Sequence, residues 1–308
     1  MRSKTAHRHC SKTSKGIATA SSSSAAPDAA NAIAPLHLGL PAWAFSGWKD
    51  RYFADTPSRL TSYAQVFDTV EGNTTFYRTP DADTITRWRD AVFGTGFRFC
   101  LKLPREVTHE YHPDLGALSR FVETVLPLAP HLGPLLVQFP ADVGPRNIDR
   151  IDAVLARIER RLETAVEVRH PAFFEQPERL QPLLERHGAS RVSLDARPLH
   201  LGDTTHPEVQ AALHKKPDLP LLDGTVGDRA FVRLVLHPDH ASNAAWVEEW
   251  VTRTAAWLEA RIETWMMIHC PNNLHCPEMA RDFHERLSQR VALPALPGWP
   301  TPQQMSLV

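Results

Sequence analysis

The chain has little cysteine: Cys10, Cys100, Cys270 and Cys276 are the only four in 308 residues. That number does not make a disulfide framework for a domain of this size. Cys100 and Cys270 fall inside apolar strands, where a reduced thiol serves as a small hydrophobe, and a reducing, cytoplasmic setting is expected. A surplus of either charge is also missing. Lys and Arg number 34 against 35 Asp and Glu, for a formal net charge of −1. The bulk composition therefore carries neither the basic excess of a nucleic-acid binder nor a charged membrane patch. No apolar run approaches the ~20 residues of a membrane-spanning helix, so no membrane partner is expected. Finally, the first apolar strand runs into "GLPAWAFSGW", which lacks the G-x-G-x-x-G turn of a dinucleotide-binding open sheet.

Aromatic residues are absent from residues 1–34, which are basic and rich in Ser and Ala. Such a segment buries too little apolar surface to offset its ordering entropy, and it reads as a disordered tail. It also lacks the 7–15-residue apolar stretch of a secretory signal. Residues 35–300 read as one domain and 301–308 as a short C-terminal tail.

Across 35–300, strands and helices alternate. The strands are "LHLGL" (36–40), "TVEGN" (69–73), "RFCLKL" (98–103), "PLLVQF" (134–139), "TAVEVR" (164–169), "SRVSLD" (190–195), "AFVRLVL" (230–236) and "TWMMIHC" (264–270). Helical periodicity and boundary residues lie between them: 57–68, 81–93, 115–126, 147–163, 177–187, a short helix in "HPEVQAALHK", 244–262 and 278–291. Gly188 is placed to end the fifth of these. Eight β-then-α units over this length predict a (β/α)₈ barrel of the TIM type.

Alternation along a strand separates its two faces. Val70 opposes Glu71, Leu101 opposes Lys102, Val137 opposes Gln138, and Val166 and Val168 oppose Glu167 and Arg169. In the later strands Leu194 opposes Asp195, Leu234 opposes Arg233, and Ile268 opposes His269. The apolar set fits a layer facing the helices. The polar set clusters toward the C-terminal strand ends, where barrel enzymes carry their chemistry. Mutual neutralisation of buried charges is the bland account of such a ring; a site is the sharper one.

Several stretches carry a family resemblance: "GWKDRYF" (47–53), "VEGNTTFYRTP" (70–80), "FRFCLKLPREVTH" (97–109), "LGPLLVQFP" (132–140) and "EVRHPAFF" (167–174). With "FVRLVLHPD", "IHCPNN" and "PEMARDF", they resemble the YecE-like family, catalogued as domain of unknown function 72, from about residue 36 to 300. The resemblance implies a TIM-type barrel and brings no defined activity. Ala172 stands where the family pattern has a bulky aromatic.

Three functional readings follow. The first is an enzyme acting on a small polar or anionic substrate, by isomerase, hydrolase or lyase chemistry. Glu71 or Glu167 would act as acid or base. Lys102, Arg169 and Arg233 would hold an anion, and His109, His170 and His269 would move protons. Asn73, Tyr77, Gln138, Asp195, His237 and Asn272 complete the candidate binding set. Three carboxylates against three cations predict no strong bias in substrate charge. A variant of this reading puts a divalent metal on Glu167, Asp195, His237 and His269, by fold-level analogy with endonuclease IV-like barrels. Arg169 and Arg233 in the same region oppose a cation, so no cofactor is expected. The "HCPNNLHC" stretch has no recognised zinc spacing. The second reading is a nucleic-acid-binding or -processing barrel, from aromatics interleaved with basic residues in "WKDRYF", "TFYR" and "TRWRD". The third is a non-catalytic ligand-binding protein. No feature specifies an oligomeric state.

Overall fold

All eight expected strands form in the computed structural model, which describes residues 33–53, 58–158, 160, 162–222 and 224–300. The expected tails, residues 1–34 but for the last two and residues 301–308, lie outside the described residues, as does Cys10. The strands are β1 (Leu36–Leu40), β2 (Thr69–Gly72), β3 (Arg98–Leu101), β4 (Leu135–Gln138), β5 (Thr164–Glu167), β6 (Ser190–Asp195), β7 (Arg229–Val235) and β8 (Glu263–His269). Hydrogen-bonded neighbours run in the order β3-β2-β1-β8-β7-β6-β5-β4, and every pair is parallel. Bridges Phe99↔Leu132 and Lys102↔Leu136 join the two ends, with the Leu103 amide donating to the Leu136 carbonyl at 3.0 Å. The sheet thus closes into a TIM-type barrel with helices between its strands.

Local chemistry sets the helix ends. Asp81 caps the helix Ala82–Ala91 by accepting from the Thr84 amide at 2.8 Å, and Asp114 caps Leu115–Val125 through the Ala117 amide at 2.8 Å. The helix Gln181–His187 stops at Gly188, whose φ of 63° is the left-handed conformation glycine adopts without strain. Among the described residues several expected helices are shorter than their periodicity: 57–68 gives only Arg59–Ala64 and 177–187 an α-helix only over Gln181–His187. Residues 147–163 give a helix only over Asp149–Arg157, and 244–262 only over Ala244–Glu259. Trp250, Val251 and Trp257 of the latter are core residues, as their spacing predicts, while Trp246 packs under the Arg197 guanidinium. No described helix is long and apolar enough to cross a membrane.

Two apolar layers result. The outer one fills the space between strands and helices with Leu38, Val70, Leu101, Val137, Val166, Val232, Leu234, Met266 and Ile268, among others. The inner one is a plug of Cys100, Leu136, Ala165, Val192, Phe231, Trp265 and Met267 inside the barrel. Gly133 makes room for it: a Cβ there would sit 2.5 Å from the Trp265 indole. Below the plug, His37 stacks on Trp265 with ring centroids 3.9 Å apart. It also bonds Asp68 at 2.9 Å and Glu263 at 3.2 Å. Above it lies the polar end of the barrel.

The face assignment needs one correction, in β6. Val192 belongs to the inner plug, and Leu194 packs with Leu199, Val209 and Val235. Asp195 points outward. It accepts from the Trp250 indole at 2.7 Å and from Arg197 at 3.0 and 2.7 Å, and Arg197 also bonds Glu249. A carboxylate on the helix-facing side is tolerated because those donors satisfy it.

Candidate functional site

At the C-terminal mouth, β2, β5, β7 and β8 bring Glu71, Glu167, Arg233 and His269 together. Arg233 donates through Nε and Nη2 to the two oxygens of Glu71, both at 2.8 Å, and through Nη1 to Glu167 at 2.5 Å. Glu71 also accepts from Asn73 Nδ2 at 2.7 Å and from His269 Nε2 at 3.1 Å. Four donors fill its lone pairs, leaving none for a substrate proton. Glu167 accepts from Arg169 Nε at 2.8 Å and from Arg233 alone, so half of its acceptor capacity remains open.

These contacts fix the charge states. Burial by itself would raise the Glu71 carboxyl, but Arg233 and His269 overcome it and hold the group well below the usual range. Burial opposes Arg233 and Arg169 at Glu167 in the same way and also loses, leaving it at about 2. Burial keeps His269 neutral, pushed down to about 4 against the pull of Glu71. Both carboxylates are therefore fixed anions across the physiological range. As anions they have no proton to donate there.

The second half of the mouth is built on β3 and β4. Lys102 Nζ donates to Gln138 Oε1 at 2.7 Å and sits 4.0 Å from the centroid of the Phe76 ring. Gln138 Nε2 in turn reaches His109 Nε2 at 3.3 Å, and Thr108 Oγ1 lies 2.8 Å from His109 Nδ1. Burial, together with Lys102 and Arg169, pushes His109 down to about 4, so His109 is neutral. Lys102 is only 8% exposed, yet no carboxylate among the described residues lies within ion-pair distance of it. Burial and the nearby Arg233 lower its ammonium to about 8.

One charged residue near the mouth escapes strand alternation altogether. Lys216 follows the helix Pro207–Leu213, in the Pro-rich connection between β6 and β7. The residue is partly exposed, and its ammonium lies in the field of Arg233, Glu71, Glu167 and Arg169. Burial and Arg233 push it down to about 8. With Asp195 turned outward and Lys216 adding its charge to the same field, the expected balance of three against three becomes two carboxylates (Glu71, Glu167) and four cations (Lys102, Arg169, Lys216, Arg233). Glu208, near the mouth, is engaged with Asn272 at 2.6 Å.

Of the remaining expected residues, His170, His237 and Asn272 are engaged in local hydrogen bonds. His237 Nε2 bonds the Asp203 carbonyl at 3.1 Å, and its Nδ1 accepts from the Asp239 amide at 3.0 Å. Glu167, Asp195, His237 and His269 consequently do not converge as a ligand set. Asn272 forms a turn, its Oδ1 accepting from the Leu274 amide at 2.9 Å. His170 accepts from the Ala172 amide at 3.2 Å and packs against Gly144. Tyr77 is 82% exposed at the rim, edge-on to Phe76. In "HCPNNLHC", His269 faces into the barrel and Cys270 faces out, 3.4 Å from Cys276 sulfur to sulfur. Trp48, Tyr52 and Phe53 of "WKDRYF" are core residues, and Trp88 stacks on Phe99. Of the aromatics in those stretches, only Phe76 and Tyr77 lie at the mouth among the described residues. A cavity of about 300 Å³ beside β6 is lined by Phe174, Gln181, Arg191, Ser193 and Leu221. Its Arg191 is already committed to the Phe173 carbonyl and the Phe174 ring.

Comparison with known proteins agrees with this architecture. Residues 37–304 match the family model described as protein of unknown function DUF72. The UPF0759 protein YecE of Escherichia coli K12 is 32% identical over 279 residues, covering 88% of this chain and 99% of the relative. Its counterpart in E. coli O157:H7 is 31% identical over the same length. A DUF72 family protein of Enterococcus faecalis V583 superposes with a TM-score of 0.64 at 17% identity, covering 86% of this chain and all of that one. One from Thermotoga maritima MSB8 gives 0.60 at 21%, covering 82% and 99%. At those identities the structural likeness speaks to the fold. By the match to its family model and its identity to YecE over most of its length, the chain is a member of the DUF72 (UPF0759) family.

Proposed function

We propose that the chain is a barrel enzyme whose C-terminal mouth takes a small anionic substrate. The observation that carries this reading is Lys102, an almost fully buried ammonium held by an amide and an aromatic face instead of a carboxylate. A buried cation without a counter-charge is costly unless a ligand supplies one. Arg169, which spends only its Nε on Glu167, and Lys216 add donors for the same anion. Three cations around one opening also concentrate an anion before it binds.

Thermal unfolding of the full chain in phosphate, against chloride of equal ionic strength, tests the reading. A ligand that binds only the folded state raises the midpoint with its concentration. Phosphate is expected to raise it beyond chloride, and Arg169→Ala and Lys216→Ala are each expected to cut the increment at least about threefold. Equal midpoints in the two salts, or an increment unchanged in both variants, overturn the proposal.

A further inference from the structure

The proposed anion site leaves open what the site does to its ligand, and the inference below rests on that reading. We infer that Lys102 is a catalytic nucleophile that forms an imine with its substrate, which is therefore a small aldehyde or ketone bearing a carboxylate or phosphate.

The carboxylates are the first argument. Glu71 has no lone pair to give, and Glu167, though it keeps open acceptor sites, is held as an anion by two guanidinium groups. Neither carries a proton to donate near neutral pH. His109 and His269 are neutral and engaged. Burial moves the two lysine ammoniums of the mouth, Lys102 and Lys216, down toward neutrality.

The second argument is position. Lys102 follows the last residue of β3 and is pinned on both sides, by the bridge to Leu136 and by the Thr75 hydroxyl on its carbonyl at 2.6 Å. Its Nζ is oriented by Gln138 and shielded by the Phe76 ring, with Arg233, Glu167, Glu71 and Arg169 all within its field. That is the environment that makes a lysine amine nucleophilic: desolvated, near another cation, and with no described carboxylate in direct contact to fix its proton. With the ammonium at about 8, roughly a tenth of the amine is free at pH 7, against fewer than about one in a thousand for an ordinary lysine.

The third argument is residue choice. The chain contains seven lysines against 27 arginines. A guanidinium would grip an anion with two parallel hydrogen bonds, but it cannot lose a proton and become a nucleophile. In a chain that uses arginine for nearly every cation, two of the four lysines among the described residues lie at this mouth.

The chemistry balances without a co-reactant. The free amine attacks the carbonyl carbon, a C–N bond forms, and the carbonyl π pair moves to oxygen. Oxygen takes a proton as nitrogen gives one up, and the resulting hydroxyl leaves as water with a second proton. Overall, ammonium and carbonyl give an iminium ion and water. The iminium then withdraws electrons from the neighbouring carbon, which favours proton loss or carbon–carbon cleavage there. Arg169 and Lys216 hold the acid group, and the substrate fills the charge gap beside Lys102.

Reductive trapping tests this. The full chain is incubated with glyoxylate and sodium cyanoborohydride, and the modified lysines are located by peptide mass spectrometry. Lys102 is expected to be labelled at least about ten times faster than Lys49 or Lys215, and phosphate is expected to slow it, because a lowered pKa activates an amine. Lys102→Arg is expected to lose that label while still being stabilised by phosphate. Labelling of Lys102 no faster than Lys49, with phosphate stabilisation intact, overturns the imine and leaves the anion site standing. Loss of both overturns both. Preferential labelling of Lys216 overturns the assignment to Lys102.

Discussion

Arg233 shows how the mouth keeps its charges buried. One guanidinium serves two carboxylates through three donors, a fork geometry that lysine cannot supply. Its removal leaves Glu71 with Asn73 and His269, and Glu167 with Arg169, inside a nearly solvent-free space. Breaking such a buried arrangement from one side costs about 3–5 kcal/mol. Arg233→Met is therefore expected to lower unfolding stability in urea by about that amount, with a matching fall in midpoint. A loss below about 1 kcal/mol would show that water reaches the two carboxylates and solvates them. Most of this ring was legible from alternation, because Glu71, Lys102, Gln138, Glu167, Arg233 and His269 share the inward phase of their strands. Lys216 was not. It lies off the strands, just past the short helix Pro207–Leu213, where strand alternation gives no direction, and its nearest sequence signal is the scarcity of lysine.

At the scale of the element, β6 explains where alternation fails. The pattern "SRVSLD" tells which residues share a face, and it says nothing about which face is inside. In other strands the tie is broken by helices whose apolar sides demand an apolar outer face. The outer side of β6 instead meets Leu221, Leu222, Thr225 and Val226 across a cavity, and the Trp250 indole, which needs an acceptor. Asp195 supplies it, and Arg197 completes the bond set. Asp195→Ala leaves the Trp250 N–H without that partner, for an expected loss of about 1–3 kcal/mol. The same variant is expected to keep the wild-type increment of stabilisation by phosphate, since Asp195 does not face the mouth. If the increment falls with it, Asp195 is coupled to the site through the β6–β7 connection.

Over the whole molecule, the barrel interior separates two polar ends with one apolar plug, and the two ends respond to pH in opposite senses. At the mouth, His109 and His269 are depressed to about 4. Between there and the ordinary histidine value of about 6.5, the unfolded chain binds protons that the fold refuses, so stability rises with pH across that window. At the other end, burial would depress His37, but Asp68 and Glu263 overcome it and raise the imidazole to about 9. The fold now holds the extra proton. The contribution of His37 is complete below about pH 6.5 and is lost as pH rises through 9. Lys102 and Lys216 also titrate above neutrality, but they do so in wild type and variant alike and cancel in the difference. His37→Gln is accordingly expected to be less stable than wild type at about pH 6 and to approach it by about pH 9.5, in urea unfolding followed at several pH values. A deficit of constant size would assign His37 to packing on Trp265 rather than to charge, because the stacked ring contributes equally at every pH while the imidazolium does not.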